Sequence, residues 1–147
     1  MKIRFVIAFA AVFSAIGVGF SSNFQTTGSA SGVNFGGKCA IQSFQTAYSQ
    51  SKAVFVGEVV AEEKNGDLRS FDFKVEKYWK GANAKRVEVL VYETARFQAW
   101  FKKGEKYLIY APADENGKLR VYRCSRSRDV DNAEEDLQKL GEGKIPR

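Results

Sequence analysis

Five short segments rich in β-branched and aromatic residues predict an all-β fold class with flanking helices. Two Asn-Gly pairs, Asn65-Gly66 and Asn116-Gly117, have the turn chemistry that joins neighbouring antiparallel strands. One helical repeat of apolar residues precedes the first strand, and another follows the last strand. Strands this short, with Gly57 inside the first of them, favour a five-stranded closed barrel over a two-sheet sandwich.

The N-terminal helix is predicted over residues 41–48, where apolar side chains recur at helical spacing. These side chains are Ile41, Phe44, Ala47 and Tyr48. The first strand follows over residues 53–61, and Gly57 indicates a bulge or a sharp bend in it. The second strand is predicted over residues 68–79, where the alternation of apolar and charged residues shifts by one position near its end.

Three further strands are predicted over residues 86–93, 106–111 and 119–124. The first of them alternates cleanly, with valines on one face. Between the third and fourth strands, residues 95–101 form a short amphipathic segment that predicts a helix.

The C-terminal helix has the clearest boundary signals of any element. Asp131 is predicted as its N-cap, with Glu134 completing a capping box, and Gly141 ends it. Its buried stripe is predicted to consist of Ala133, Leu137 and Leu140.

Residues 1–21 have the pattern of a signal peptide. Lys2 and Arg4 precede an apolar run over residues 5–20, and small residues favour cleavage after Ser21. The alternative is a membrane anchor, because the run is about as short as a spanning helix can be. We expect a flexible leader over residues 22–38, a folded domain over 39–141 and a tail over 142–147, and therefore a secreted protein, extracellular or periplasmic.

The chain has two cysteines, Cys39 and Cys124. Thiols of an exported protein are expected to oxidise, because no reducing glutathione pool protects them. We therefore predict a disulfide that joins the start of the folded region to its last strand. The alternative is a pair of unpaired, buried cysteines.

Enzymatic activity is not expected from this composition. The chain has no histidine, which removes the usual general base, most nucleophilic triads and the commonest metal ligand. Its acidic residues lie in predicted strand ends, turns and a helix start, where a solvated surface role is the simplest interpretation. We predict a non-enzymatic protein with no cofactor and no metal site.

Basic residues interleaved with aromatic ones suggest a binding rim for an anion or a glycan. The predicted rim consists of Lys77, Trp79, Lys80, Arg120, Arg123 and Arg126. The alternative is an ordinary solvated rim above core aromatics. The net charge of +6 is mild, and export favours an envelope polymer over nucleic acid as a partner.

An ordered set of segments resembles the family of tissue inhibitors of metalloproteinases and netrin-like modules, in its short bacterial form. The segments are Cys39 with the helix after it and residues 53–59, 73–81, 101–111, 124–128 and 133–137. The resemblance covers nearly all of the folded region. It implies a barrel of the oligonucleotide/oligosaccharide-binding (OB) type, a fold of five strands.

The resemblance also implies a function, inhibition of a metalloprotease. In the animal inhibitors, the α-amine and carbonyl of an N-terminal cysteine chelate the catalytic zinc. The matching residue here is Cys39, with Ala40 and Ile41 entering the first subsites, so residues 39–41 are the predicted protease-contacting edge. Two departures are visible: Ile41 replaces a second cysteine, and Cys39 has a free amine only if the chain is cut after Lys38. The other function we consider is a glycan- or anion-binding module of the cell envelope.

Overall fold

A five-stranded antiparallel sheet organises residues 39–147, the part of the chain that the computed structural model describes. The predicted signal peptide and leader lie outside the described residues. The strand order is β3-β2-β1-β4-β5, so the central β1 pairs with both β2 and β4. The strands are β1 (Ala53–Asn65), β2 (Leu68–Lys80), β3 (Arg86–Tyr92), β4 (Lys106–Ala111) and β5 (Arg128–Asp129).

Two short helices flank the sheet, as predicted. Helix α1 spans Phe44–Gln50 and begins later than predicted, because the Ser43 hydroxyl accepts a hydrogen bond from the Thr46 N–H at 3.2 Å. Helix α2 spans Glu134–Leu140 after a 3₁₀ turn over Val130–Asn132. The predicted N-cap was wrong: Asp131 lies inside that turn, and Ala133 occupies the cap position without a side-chain hydrogen bond.

The core consists of two apolar clusters, because β1 alternates between two sides. Phe55 and Val59 pack into the larger cluster, where aromatic rings meet edge to face. The rings of Phe73 and Phe101, for example, are 5.4 Å apart at 89°. The smaller cluster is covered by the helices and contains Ala47, Val54, Val56, Leu108, Tyr110 and Ala133, with Leu137 and Leu140 packed against it.

The predicted bulge at Gly57 is confirmed by a register shift between Val56 and Gly57. A Cβ atom at Gly57 would lie 3.0 Å from the Lys74 carbonyl oxygen, which explains the glycine at this close approach. β1 pairs with β2 along nearly its whole length, from Val54 to Asn65, and with β4 only over its first half, from Ala53 to Glu58.

The predicted strand over residues 119–124 was wrong, and the sheet is not closed into a barrel. Leu119 and Arg120 form only isolated bridges, to Ala113 and Leu90. The segment then leaves β3 because the Ser125 N–H donates to the Tyr122 carbonyl at 2.9 Å and closes a turn. Cys124 lies in that turn rather than on a strand.

Residues 95–101 are not helical, contrary to the prediction. Thr94 and Phe97 exchange two backbone hydrogen bonds of 2.8 and 3.0 Å, which make a tight turn. The buried Glu93 carboxylate then accepts the Ala99 N–H at 2.9 Å. These contacts fold the segment over the core, where Phe101 is buried, and leave no room for a helical hydrogen-bond ladder.

Residues 142–147 lie along the end of β2 that is not paired with β3. Lys144 and Tyr78 exchange backbone hydrogen bonds of 2.8 and 2.9 Å. The Arg147 N–H donates to the Asn83 carbonyl at 3.1 Å. No helix within residues 39–147 is long and apolar enough to cross a membrane.

Candidate functional site

The Cys39–Cys124 disulfide confirms the predicted pairing and fixes an irregular segment to the fold. Its Cα atoms are 5.2 Å apart, and the two residues are 85 positions apart in the sequence. Residues 39–43 have no regular secondary structure of their own. The bridge therefore holds the start of the described chain against the turn over residues 122–125.

A buried ion pair holds the same segment at a second point. The Arg126 guanidinium donates two hydrogen bonds to the Asp136 carboxylate, at 2.7 and 2.6 Å. Its remaining nitrogen donates to the Gln42 carbonyl at 2.9 Å. Arg126 thereby joins helix α2 to the segment that precedes α1. Its two parallel hydrogen bonds to Asp136 are the strong, bidentate form of the arginine–carboxylate pair.

The Tyr110 hydroxyl completes this network by donating to Asp136 at 3.1 Å. Burial alone would raise the pKa of Asp136, but the hydrogen bonds and charge of Arg126 outweigh it and lower the pKa. Burial and the neighbouring Asp136 carboxylate both raise the pKa of Tyr110. The network therefore contains a charged arginine, a charged aspartate and a neutral tyrosine over the whole neutral range.

Two adjacent pockets lie on either side of this disulfide-linked turn, and Tyr122 and Cys124 line both of them. The first has a volume of about 430 Å³ and the second about 360 Å³. The first is lined by Ala40, Gln42, Ala47, Gln50, Ser51, Tyr110, Pro112, Ser125 and Arg126 as well. The second is lined also by Leu90, Tyr92, Thr94, Phe97, Arg120, Val121 and Arg123.

Exposed apolar side chains concentrate around these pockets. Within residues 39–147 four large hydrophobic side chains are exposed: Tyr122 (52%) and Tyr92 (47%) line these pockets, Ile41 (59%) lies between the lining residues Ala40 and Gln42, and Ile145 lies elsewhere. We call the two pockets with Tyr122, Tyr92 and Ile41 the disulfide surface. Exposed aromatic anchors on a fixed backbone are typical of the central residues of protein interfaces.

The structure divides the predicted basic rim into two separate groups. Arg120, Arg123 and Arg126 line the two pockets of the disulfide surface. Lys77, Trp79 and Lys80 lie instead near the end of β2, where the Trp79 indole N–H donates to the Gly141 carbonyl at 3.0 Å. No single continuous rim is formed by these six residues.

Most of these cations have internal partners. Arg120 pairs with Asp114 at 2.5 Å and lies over the Tyr92 ring, 4.5 Å from its centre. Arg126 is matched by Asp136, as described above. The Lys80 ammonium donates to the carbonyls of Tyr48 and Ser49 at 3.0 and 3.2 Å and so caps the C-terminal end of α1.

Sequence reasoning predicted residues 39–41 as a protease-contacting edge but did not single out Tyr122 and Tyr92, the exposed aromatic residues of the disulfide surface. The sequence alternation of residues 119–122 carried a usable signal, because it places Tyr122 on the face opposite the apolar Leu119 and Val121. Within residues 39–147 no group of three or more Cys, Asp or Glu side chains is arranged to hold a metal ion.

The chain was compared with protein-family models, curated proteins and solved structures. No protein-family model and no curated protein matches the chain. Among solved structures it is similar to Schizosaccharomyces pombe Pot1pC bound to single-stranded DNA, with 10% identity and a TM-score of 0.37. The match covers 61% of this chain and 86% of that one. A likeness at this level carries no argument about fold or function.

Proposed function

We propose that this protein is an exported, non-enzymatic binding module that docks a partner protein on its disulfide surface. The observation that carries the proposal is the disulfide itself, which fixes residues 39–41 to the turn that contains the exposed Tyr122. An interface gains affinity when its anchors are held in place before binding, because less conformational entropy is then lost. The resemblance of the sequence to metalloprotease inhibitors suggests a metalloprotease as the partner.

An OB-like architecture is part of this proposal. It is supported by the β1-β2-β3 meander and by the pairing of β1 with β4. It is supported also by the parallel bridge between Leu90 and Arg120, which brings the segment after β4 to the free edge of β3. An OB-fold is a partly open barrel, so incomplete pairing at this edge is compatible with it.

Export to an oxidising compartment is also part of this proposal. The charged and apolar pattern of residues 1–21 supports it, and the disulfide is compatible with an oxidising compartment. The absence of histidine from the sequence supports a binding role rather than catalysis.

The mature N-terminus decides how such a module would engage a metalloprotease. With Lys38 still attached, the Cys39 nitrogen is an amide and cannot ligate zinc, so binding would depend on Ile41, Tyr122 and the pockets. Cleavage after Lys38 would give Cys39 a free amine beside its own carbonyl. Sequencing the N-terminus of the secreted protein distinguishes these two modes.

The function is tested by titrating the secreted protein into a panel of purified zinc metalloproteases and measuring peptide hydrolysis. We expect inhibition of at least one enzyme, weakened about 30-fold by Tyr122→Ala if Tyr122 is a central anchor worth roughly 2 kcal/mol. Lys103→Gln, an exposed change away from the disulfide surface, is the control. No inhibition and no binding by any enzyme of the panel would contradict the proposed partner class.

An anion-binding function at the predicted rim has less support. Arg120 and Arg126 are matched by Asp114 and Asp136, so an anionic ligand would have to displace a carboxylate from each of them. We therefore do not assign anion binding to the disulfide surface.

A further inference from the structure

A second group of cations lies around the second half of β2, residues 74–80, and includes none of the residues that carry the proposed function. Backbone contacts bring its members together: Lys74 lies opposite Arg86, and the Val75 N–H donates to the Lys85 carbonyl at 3.0 Å. Lys144 pairs with Tyr78, next to Lys77, and Arg147 is bonded to Asn83. We call the six exposed side chains the basic surface: Lys74, Lys77, Lys85, Arg86, Lys144 and Arg147.

These six cations lack carboxylate partners. None of them forms an ion pair with any of the described residues, whereas eight other lysines and arginines do. Three carboxylates lie nearby: Glu58 opposite Lys74 on β1, Glu76, which pairs with Lys106, and the exposed Glu142. Direct opposition of the two cations Lys74 and Arg86 is unfavourable for the fold, and an external anion would relieve it.

An exposed apolar side chain accompanies this charge. Ile145 follows Lys144 and is 67% exposed, the highest value of the four exposed large hydrophobic residues. Its backbone is fixed on both sides, by the Lys144–Tyr78 pair and by the Arg147–Asn83 hydrogen bond. Gly143 packs so closely on Trp79 that an added Cβ atom would lie 3.0 Å from the indole ring. Ile145 is therefore presented by an anchored segment.

We propose that the basic surface, with Ile145, is a peripheral binding site for a membrane that carries anionic lipids. A cluster of four to eight lysines and arginines is attracted to anionic headgroups, and one apolar side chain can enter the interfacial region beneath them. A soluble polyanion would use the same charges but would gain nothing from Ile145. The exposed isoleucine among unpaired cations thus favours a lipid surface over an anionic polymer.

The test is sedimentation of the secreted protein with vesicles of phosphatidylglycerol and phosphatidylcholine, and with vesicles of phosphatidylcholine alone. We expect binding to the anionic vesicles only, weakening as salt is raised. Lys77→Gln/Lys144→Gln should lower the affinity by roughly tenfold or more, since each cation near the surface is worth about fivefold. Arg96→Gln/Lys103→Gln removes the same charge from exposed positions elsewhere and should have a much smaller effect.

The contribution of the exposed Ile145 is tested with a matched pair of isoleucine variants. Ile145→Ser should weaken vesicle binding by about threefold to tenfold, because the contact that enters the interface is lost. Ile41→Ser removes an exposed isoleucine from the disulfide surface and should leave vesicle binding unchanged. Charge dependence without any effect of Ile145→Ser would overturn the insertion of Ile145, and with it the observation that favours a lipid surface over a soluble polyanion. Equal losses of vesicle binding in Lys77→Gln/Lys144→Gln and in Arg96→Gln/Lys103→Gln would overturn the basic surface as the binding site. Neither outcome bears on protease inhibition.

Discussion

The carboxylate of Glu93 accepts the backbone N–H of Ala99 at 2.9 Å, across a loop that sequence patterns predicted to be a helix. Glu93 also pairs with Lys64 at 2.9 Å and with Arg69 at 3.2 Å. One acidic side chain at the end of β3 therefore connects the β1–β2 hairpin to the loop that closes over the larger apolar cluster.

Glu93 should make stability depend on pH in the acid range. The Ala99 hydrogen bond, followed by Lys64 and Arg69, lowers its pKa from 4.5 to about 2 in the folded protein. The resulting stabilisation is complete above pH 4.5 and is lost as the pH falls towards 2. Urea unfolding at several pH values should therefore show that the unfolding free energy falls more steeply towards acid pH in the wild type than in Glu93→Gln. Parallel curves for the two proteins would contradict this assignment.

Asp136→Asn should destabilise the fold by about 3 kcal/mol, because Arg126 would be left charged and largely buried without its counter-charge. The matched control is Glu135→Gln, one residue away, which breaks an exposed pair with Lys139. Exposed pairs of this kind contribute well under about 1 kcal/mol. Chemical denaturation of the three proteins measures both effects, and similar losses for the two variants would refute the special role of Asp136.

Loss of the disulfide should cost roughly 4 kcal/mol in the chain-entropy account, since the bridge closes a long loop. The double variant Cys39→Ser/Cys124→Ser is compared with the wild type by thermal and urea unfolding. Thiol titration of the denatured, unreduced wild-type protein should find no free cysteine. Two titratable thiols, or an unchanged stability of the double variant, would contradict the structural role of the bridge.

Gly81→Ala should destabilise far more than Gly117→Ala, although both glycines have positive φ angles, of 64° and 76°. Adopting that backbone costs an alanine about 1–2 kcal/mol at either position. At Gly81 the new Cβ would also lie 2.1 Å from the Lys52 carbonyl oxygen, whereas at Gly117 it would meet nothing within 4 Å. The difference in unfolding free energy between the two variants isolates this steric contact, and equal values would rule it out.

Local patterns were sufficient to predict the first four strands, both turn-forming Asn-Gly pairs and the bulge at Gly57. The strand at 106–111 agrees with β4 at both ends, because its apolar run from Tyr107 to Ala111 is uninterrupted and a glycine turn precedes it. These features depend on neighbours in the chain, which a sequence displays directly.

Features that depend on distant contacts could not be predicted in the same way. Residues 95–101 have a helical pattern, but the Glu93 carboxylate fixes them as a loop. Residues 119–124 have a strand pattern, yet a turn at Tyr122 takes them away from the sheet. The predicted closed barrel was wrong for the same reason, because residues 119–124 were expected to be its last strand.

The candidate site could likewise be predicted from the sequence only in part. The two cysteines could be paired from the sequence, since no other partner exists for either of them. The roles of the rim residues Arg120 and Arg126 could not be predicted, because each depends on a carboxylate that only folding places beside it. Arg126 is ten residues from Asp136, and neither residue has a sequence pattern that indicates the pair.

A covalent bridge between positions 39 and 124 also determines what a single proteolytic cut would leave behind. Hydrolysis of any one peptide bond between those positions, including bonds in the exposed β1–β2 hairpin, would yield two fragments still joined through sulfur. Such a nicked molecule would migrate as one species on a non-reducing gel and separate only after reduction. Apparent resistance of this protein to digestion should therefore be judged under reducing conditions.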